Sequence, residues 1–438
     1  MIEWYWALAM IMGGFMALVI LGVPIVFAFF TVNIIGTWSL MGGASGLRQM
    51  VNSVYEGISV FTLLPITLFV LMGEILFRSG VASKMIDALD KWIGSLPGRL
   101  SLLAVLSGAM TSALSGASIA STAMLGSTLV PHMRARGYSS EMSVGPVLGS
   151  GGLAIMIPPS GLAVILAVLA NVSVGRMLMA IILPGLLMGL LYAGWVVLRC
   201  SLRPDLAPAY AAPTMRFIDK LLLTLKYVLP LSFLVFLVIG VIFLGIATPT
   251  EAAALGAAGA LLVGFLYGNM SFNVMVEAVA STLKVAVMVL VILAAAQSFS
   301  QILAFTGANR NLATFMAGMD VSPILIIILM QIIVVILGGF ISGVPLMMIT
   351  VPVFLPVVTA LGYDPIWFLV LLLINIEMAQ TTPPFGVLLF VMKGVAPSDI
   401  SIGTIMRSAV PFIVCDLIAI AAIMAMPQIV LWLPSVAF

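Results

Sequence analysis

Ile157-Pro158-Pro159-Ser160-Gly161 and Thr382-Pro383-Pro384-Phe385-Gly386 are the two longest strings that the halves of this chain share, and they stand 225 positions apart. Pro131, Gly137 and Tyr138 return at the same offset as Pro356, Gly362 and Tyr363, and Pro24 returns as Pro249. Seven positions in one register point to an internal repeat. A proline pair also says something about local structure. Each proline removes a backbone donor and clashes with the turn before it, so two in succession unwind a helix. In lipid the freed carbonyls must find partners.

The surroundings of both strings are lipid-compatible. Of 438 residues, 63% are hydrophobic and 7% charged, against about 45–50% and about 25% in soluble domains. A surface facing water cannot be built from that composition, and a spanning helix needs about 20 apolar residues. The chain is therefore expected to be an all-α polytopic membrane protein. A net charge of +2 gives no reason to expect a nucleic acid partner. Cys200 and Cys415 match no metal or redox spacing, and a lone His132 leaves no zinc site or histidine triad to build. Lysines stand only at 84, 91, 220, 226, 284 and 393, none in a GxxxxGK[ST] context, so no ATPase activity of this chain itself is expected. The start, Ile2-Glu3-Trp4, lacks the basic region of a cleavable signal, and the first apolar segment is expected to be retained.

The charges suggest an orientation. Placing Arg78, Lys84, Lys91, Arg99, Arg134, Arg136, the basic residues of 199–226, Lys284, Lys393 and Arg407 in the cytoplasm accounts for fourteen of the seventeen, leaving Arg48, Arg176 and Arg310 outside. Both termini are then outside. Residues 100–133 become an apolar stretch with both ends cytoplasmic, too long for one crossing and too short for two. A re-entrant helical hairpin fits, turning near Ser115-Gly116-Ala117-Ser118. Residues 323–361 are its counterpart and lack basic flanks, so that hairpin should enter from outside. The expected plan is two inverted repeats. The first covers 1–200, with its hairpin at about 100–133 and a broken helix at about 141–170. A polar cytoplasmic linker spans 201–226. The second repeat covers 227–438, with its hairpin at about 323–361 and a broken helix at about 365–395. Inverted repeats with broken helices are the build of secondary transporters.

The residues beside the breaks are oxygen donors suited to Na⁺. Near the first lie Gly149-Ser150-Gly151-Gly152 and the hairpin serines and threonine Ser112, Ser115, Ser118, Ser121 and Thr122. Near the second lie Asn375, Glu377, Gln380, Thr381 and Thr382, facing Gly338-Gly339 and Ser342-Gly343. Small residues and serines also mediate tight helix packing in membranes; it is the pairing of two hairpins with two breaks that favours a site. Half-helix N-termini at the tips favour an anionic substrate. Intramembrane acids are the other signal. Glu377 is nearest the second break and is a candidate for coupling or gating. Glu74 is a further candidate carboxyl, Glu251 is placed to cap the helix after Thr248-Pro249-Thr250, and Asp416 is a weaker candidate. His132 is expected at the interface, as are Trp4, Trp6, Trp92, Trp367 and Trp432 at segment ends.

Four stretches carry a family resemblance: Gly245-Ile246-Ala247-Thr248-Pro249-Thr250-Glu251-Ala252-Ala253-Ala254, Leu114-Ser115-Gly116-Ala117-Ser118 with Ala120-Ser121-Thr122, Ile157-Pro158-Pro159-Ser160, and Thr381-Thr382-Pro383-Pro384-Phe385-Gly386. Over essentially its whole length the chain resembles the large membrane subunit of tripartite ATP-independent periplasmic (TRAP) transporters. The resemblance implies a Na⁺-driven importer of an organic acid, such as a C4-dicarboxylate, a sugar acid or a sialic acid, in a bacterial inner membrane. A periplasmic substrate-binding protein would deliver the cargo, a separate small four-helix membrane subunit would complete the complex, and the hairpin domain would move as an elevator. One Na⁺ site would comprise Ser115, Gly116, Ser118, Gly149, Ser150 and Pro158. The other would comprise Ser342, Gly343, Gln380, Thr381, Thr382 and Pro384. The substrate would lie between them, near Ser115, Ser118, Ser160, Asn375 and Thr381. No cofactor is implied beyond Na⁺ as coupling ion. The alternative reading is a self-sufficient Na⁺- or H⁺-coupled dicarboxylate or anion carrier. An intramembrane enzyme would want clustered His, Asp or Cys, and the sequence offers none.

Overall fold

The structure, a computed structural model, describes residues 3–93, 96–115, 118–208 and 215–437; for Thr62 and residues 112–115 it describes the backbone alone. The described chain is helical from end to end. Its first half runs through α1 (Trp4–Ile20), α2 (Ile25–Leu40), α3 (Ala44–Ile58), α4 (Leu64–Arg78), α5 (Val81–Asp90), α6 (Arg99–Ser115), α7 (Ser118–Ala135), α8 (Ser140–Met156), α9 (Gly161–Leu169), α10 (Val174–Ala180) and α11 (Ile182–Leu202). The second comprises α12 (Phe217–Leu223), α13 (Leu229–Phe243), α14 (Pro249–Tyr267), α15 (Phe272–Phe305), α16 (Ala308–Ala317), α17 (Pro323–Gly338), α18 (Gly343–Ala360), α19 (Pro365–Thr381), α20 (Val387–Val395), α21 (Ile402–Ala425) and α22 (Gln428–Ala437). Among the described residues, six helical runs are individually long and apolar enough to cross a membrane. Two further candidates are bent pairs, α4 with α5 at 66° and α8 with α9 at 45°. This is a multi-pass α-helical membrane fold.

The bounds of α7 and α18 differ by 225 at both ends, and so do those of α8 and α19. The junctions between them agree in detail. Gly137 (φ 82°) and Gly362 (φ 81°) take the left-handed conformation that glycine adopts without penalty. The next N–H then returns to the preceding helix, Tyr138 to Met133 O and Tyr363 to Val358 O, each at 3.1 Å. Ser139 caps α8 by accepting from Met142 N at 3.2 Å, and Asp364 caps α19 by accepting from Ile366 N at 2.7 Å. One departure has a sequence cause. Where α3 and α4 are separated by an extended Val60 and Pro65 at the start of α4, their counterpart α15 is continuous over 34 residues that contain neither proline nor glycine. Helical structure also starts inside the 201–226 stretch, at Phe217, and passes through a π turn (Thr224–Val228) into α13. The stretch is moored as well, since Ser139 N donates to Leu206 O at 2.9 Å.

The centre of the molecule is made by α8 and α19. Every residue from Met142 to Met156 is buried, as is every residue from Ile366 to Ala379. Large apolar side chains such as Phe236, Phe265 and Phe272 instead stand exposed on α13, α14 and α15, as a lipid-facing wall requires. Trp6, Trp92 and Trp432 are exposed too. Trp367 corrects the expectation of an interfacial anchor. It is 2% exposed, stacks on Tyr363 and donates its indole N–H to Ile423 O at 3.1 Å. Its place near the start of α19 puts it at a helix end but inside the bundle.

Candidate functional site

Helices α8 and α19 both end at their proline pairs. Ile157 and Ser160 are extended around the first break, and Ser160 Oγ accepts from Ala163 N at 3.3 Å to open α9. Thr382 is extended at the second, and Gly386 N returns to Thr382 O at 3.0 Å. Both Pro-Pro bonds are cis. The hairpin helix α7 packs against α8, and α18 packs against α19. Close approach depends on glycine in each pair. A Cβ on Gly151 would meet Thr122 Oγ1, and one on Gly343 would come within 2.8 Å of Ile376 Cγ2.

Glu377 joins the two halves. It is 1% exposed on α19, and its Oε2 accepts from Ser118 Oγ at the start of α7 and from Gln380 Nε2 on its own helix, both at 3.0 Å. Among the described residues, its Oε1 has no hydrogen-bond partner, and neither does the buried Thr122 Oγ1. Nearby, Thr111 Oγ1 and Ser121 Oγ lie 3.0 Å apart and tie the arms of the first hairpin. A carboxyl oxygen and a hydroxyl left without protein partners in the interior suit a small hard cation, which takes oxygen ligands.

The other candidates take varied positions. Ser150 is buried and donates to Val147 O at 3.0 Å; Gly149 faces the Phe412 ring. Thr381 and Thr382 both donate to Met378 O, at 3.0 and 2.7 Å, leaving their oxygens free to accept. Pro158 and Pro384 lie in the breaks, and Ser342 is the exposed N-cap residue of α18 without a side-chain cap bond. Asn375 is turned to α17, where its amide donates to Gln331 Oε1. Gly116 and the side chains of Ser112 and Ser115 lie outside the described residues. Glu74 and Glu251 are not brought to this cluster. Glu74 pairs with Arg78 at 2.7 Å, and Arg78 goes on to Glu277 and Ser281 of α15. Glu251 closes a capping box with Thr248, accepting from its N–H at 2.8 Å. His132 is exposed and bonded to Thr128 O. Asp416, in contrast, is buried with the Tyr192 hydroxyl donating to it across α11 and α21. Tyr192 was missed in the sequence, where a tyrosine in an apolar helix carries no signal without its partner.

A separate cavity of about 580 Å³ lies between the loop holding Asn171 and Ser173 and the helix start at Thr248–Thr250, with Gln297 of α15 on its wall. It brings Thr248-Pro249-Thr250 against the segment that follows α9.

A multi-pass helical membrane protein with buried polar oxygens beside two broken helices has the build of a membrane transport protein. The family described as tripartite ATP-independent periplasmic transporter, DctM component, matches residues 12–429, and the chain belongs to it. A similar relative is the C4-dicarboxylate TRAP transporter large permease protein DctM of Pseudomonas aeruginosa, 30% identical over 397 residues, covering 90% of this chain and 91% of that one. The sialic acid TRAP transporter large permease protein SiaM of Vibrio cholerae is 27% identical over 96% of this chain and 97% of its own. Among solved structures, the Alcanivorax borkumensis YdaH transporter aligns with a TM-score of 0.62 at 17% identity, over 90% of this chain and 91% of that one, a likeness of fold.

Proposed function

We propose that this chain is the large permease of a Na⁺-coupled importer of a small organic acid in a bacterial inner membrane. A periplasmic binding protein delivers the acid, and a small membrane subunit completes the complex. The observation that carries the reading is the meeting of hairpin and broken helix from opposite halves at Glu377, with Ser118 and Gln380 on one carboxyl oxygen and the other oxygen unpartnered. Its relatives' C4-dicarboxylate and sialic acid cargoes support an acid of that class. Ser118, Gly149, Ser150 and Pro158, with Ser115 and Gly116, hold the first Na⁺. Ser342, Gly343, Gln380, Thr381, Thr382 and Pro384 hold the second. The acid binds between them, where half-helix N-termini favour negative charge. The halves are inverted repeats, and the part containing α6–α9 and α17–α20 moves as an elevator against the remainder.

The test is uptake of labelled organic acids into proteoliposomes holding the complete transporter, driven by an imposed Na⁺ gradient without ATP. Uptake that is unchanged when K⁺ replaces Na⁺ overturns the coupling; full-rate uptake by this chain alone favours the self-sufficient carrier. Removing one ligand hydroxyl costs about 1.4 kcal/mol, so Ser150→Ala and Thr382→Ala are each expected to raise the Na⁺ concentration for half-maximal uptake about tenfold. Unchanged sodium dependence in both variants rejects these sites.

The orientation has its own test. A cysteine at exposed Ala135 is expected to react with an impermeant maleimide only from the cytoplasmic face, against the low background of buried Cys200 and Cys415. Labelling from the periplasm reverses the topology.

A further inference from the structure

We propose that Glu377 serves both cation sites at once, as a single positioning carboxyl seated on the approximate two-fold axis between the halves; this rests on the two-site sodium reading above. The geometry comes from the 225-residue register. Glu377 and Gly152 are counterparts in that register, and they touch: a Cβ built on Gly152 would lie 3.2 Å from Glu377 Cγ and 3.6 Å from its Oε1. Two positions exchanged by a two-fold operation can touch each other only where the axis passes, as in any isologous contact. A second self-contact agrees within one position. Tyr192 bonds to Asp416, and Cys415 Sγ lies 3.8 Å from Leu191 O, each pair 224 positions apart. The axis therefore runs between α8 and α19 and between α11 and α21.

A residue on that axis is related in the same way to both breaks, and only one side chain has room there. The first half contributes a glycine, which leaves the space to the glutamate of the second. The hydrogen bonds follow this placement. Oε2 receives one donor from each half, Ser118 and Gln380, and both donors are candidate ligands, one at each site. Among the described residues no basic side chain pairs with Glu377. A carboxyl that only braced the helices would have both oxygens satisfied, whereas Oε1 has no partner. Glu377 thus sets the orientation of a ligand at each site through one carboxyl oxygen and leaves the other without a protein partner.

The test separates one site from two. The Na⁺-specific rise in melting midpoint, NaCl against KCl at equal ionic strength, is measured for the purified chain carrying Ser150→Ala or Thr382→Ala, each with and without Glu377→Gln. Glu377→Gln is expected to raise the Na⁺ concentration for half-maximal stabilisation about tenfold in both backgrounds, a loss of about 1.4 kcal/mol at whichever site the background variant leaves unweakened. A change in one background and none in the other assigns Glu377 to one site and overturns the proposal, as does no change in either. No difference between NaCl and KCl in the unaltered chain instead overturns the sodium reading itself. If Glu377→Gln does not yield folded protein, Gly152→Ala takes its place, because its Cβ would press on Glu377 Cγ without removing the carboxyl. Weakening in both backgrounds supports the proposal and weakening in one alone overturns it.

Discussion

Gly149→Val is expected to destabilise the folded protein by about 3 kcal/mol or more, the upper end for overpacking a close helix contact. Helices α8 and α21 cross at Gly145 and Gly149, spaced four apart as small residues are where membrane helices approach closely. A Cβ on Gly145 would lie 2.7 Å from Ser408 O and 2.8 Å from Phe412 Cε2. One on Gly149 would come within 2.7 Å of Phe412 Cγ and 3.0 Å of its Cε1. The ring cannot simply step aside, since it packs edge-on against Tyr192 with centroids 5.3 Å apart, and Tyr192 is bonded to Asp416. The helices must therefore separate. Gly149→Ala should be destabilising by a smaller amount, and Gly194→Ala provides the control. Gly194 lies within α11 with nothing within 4 Å of an added Cβ, so the gain in helix propensity, about 1 kcal/mol, is left unopposed. Thermal midpoints of the purified variants in a fixed detergent check this. A Gly149→Val midpoint equal to that of Gly194→Ala would show that the crossing does not constrain the chain.

Replacing both Pro158 and Pro159 by alanine should lower Na⁺-driven uptake about a hundredfold or more, corresponding to at least about 2.7 kcal/mol in the transport barrier. Each proline disfavours continued helix by about 3 kcal/mol. With alanines, Ile157 and Ser160 can adopt helical angles, α8 can run into α9, and the 45° bend between them is lost. The freed carbonyls of the break are then tied up within a helix and no longer available to the proposed cation. Insertion should survive, since the variant is a better helix former in lipid. Wild-type uptake with wild-type sodium dependence would refute the role assigned to the break, and the same substitution at Pro383 and Pro384 provides an independent repetition.

Much of the architecture is legible because the physics is local. Helices α17–α18 lie within the stretch at 323–361, α6–α7 (Arg99–Ala135) overruns the stretch at 100–133 by one residue at its start and two at its end, and the breaks fall at the proline pairs, where backbone chemistry allows little else. Capping is legible for the same reason. Thr248 and Glu251 sit three apart ahead of an apolar run, and they form a capping box. The bend between α4 and α5 was not legible, because Ser79-Gly80 in an apolar run marks no crossing until Arg78 finds Glu277 and Ser281 on α15. The direction of Trp367 was not legible either, since an aromatic near a helix end reads alike whether lipid or another helix lies against it.

The two proline pairs mark the extent of what local chemistry decided: a lipid-soluble helical chain, interrupted at two places 225 positions apart by residues that cannot continue a helix. Composition and backbone sterics suffice for that. Only the tertiary structure decided which buried groups meet across those interruptions. Glu377 and Ser118 are 259 positions apart, Tyr192 and Asp416 are 224 apart, and Gly152 signals nothing in the sequence about the carboxyl that fills its space. Such meetings depend on how helices pack, and one buried polar atom gains its importance from whether a distant one reaches it.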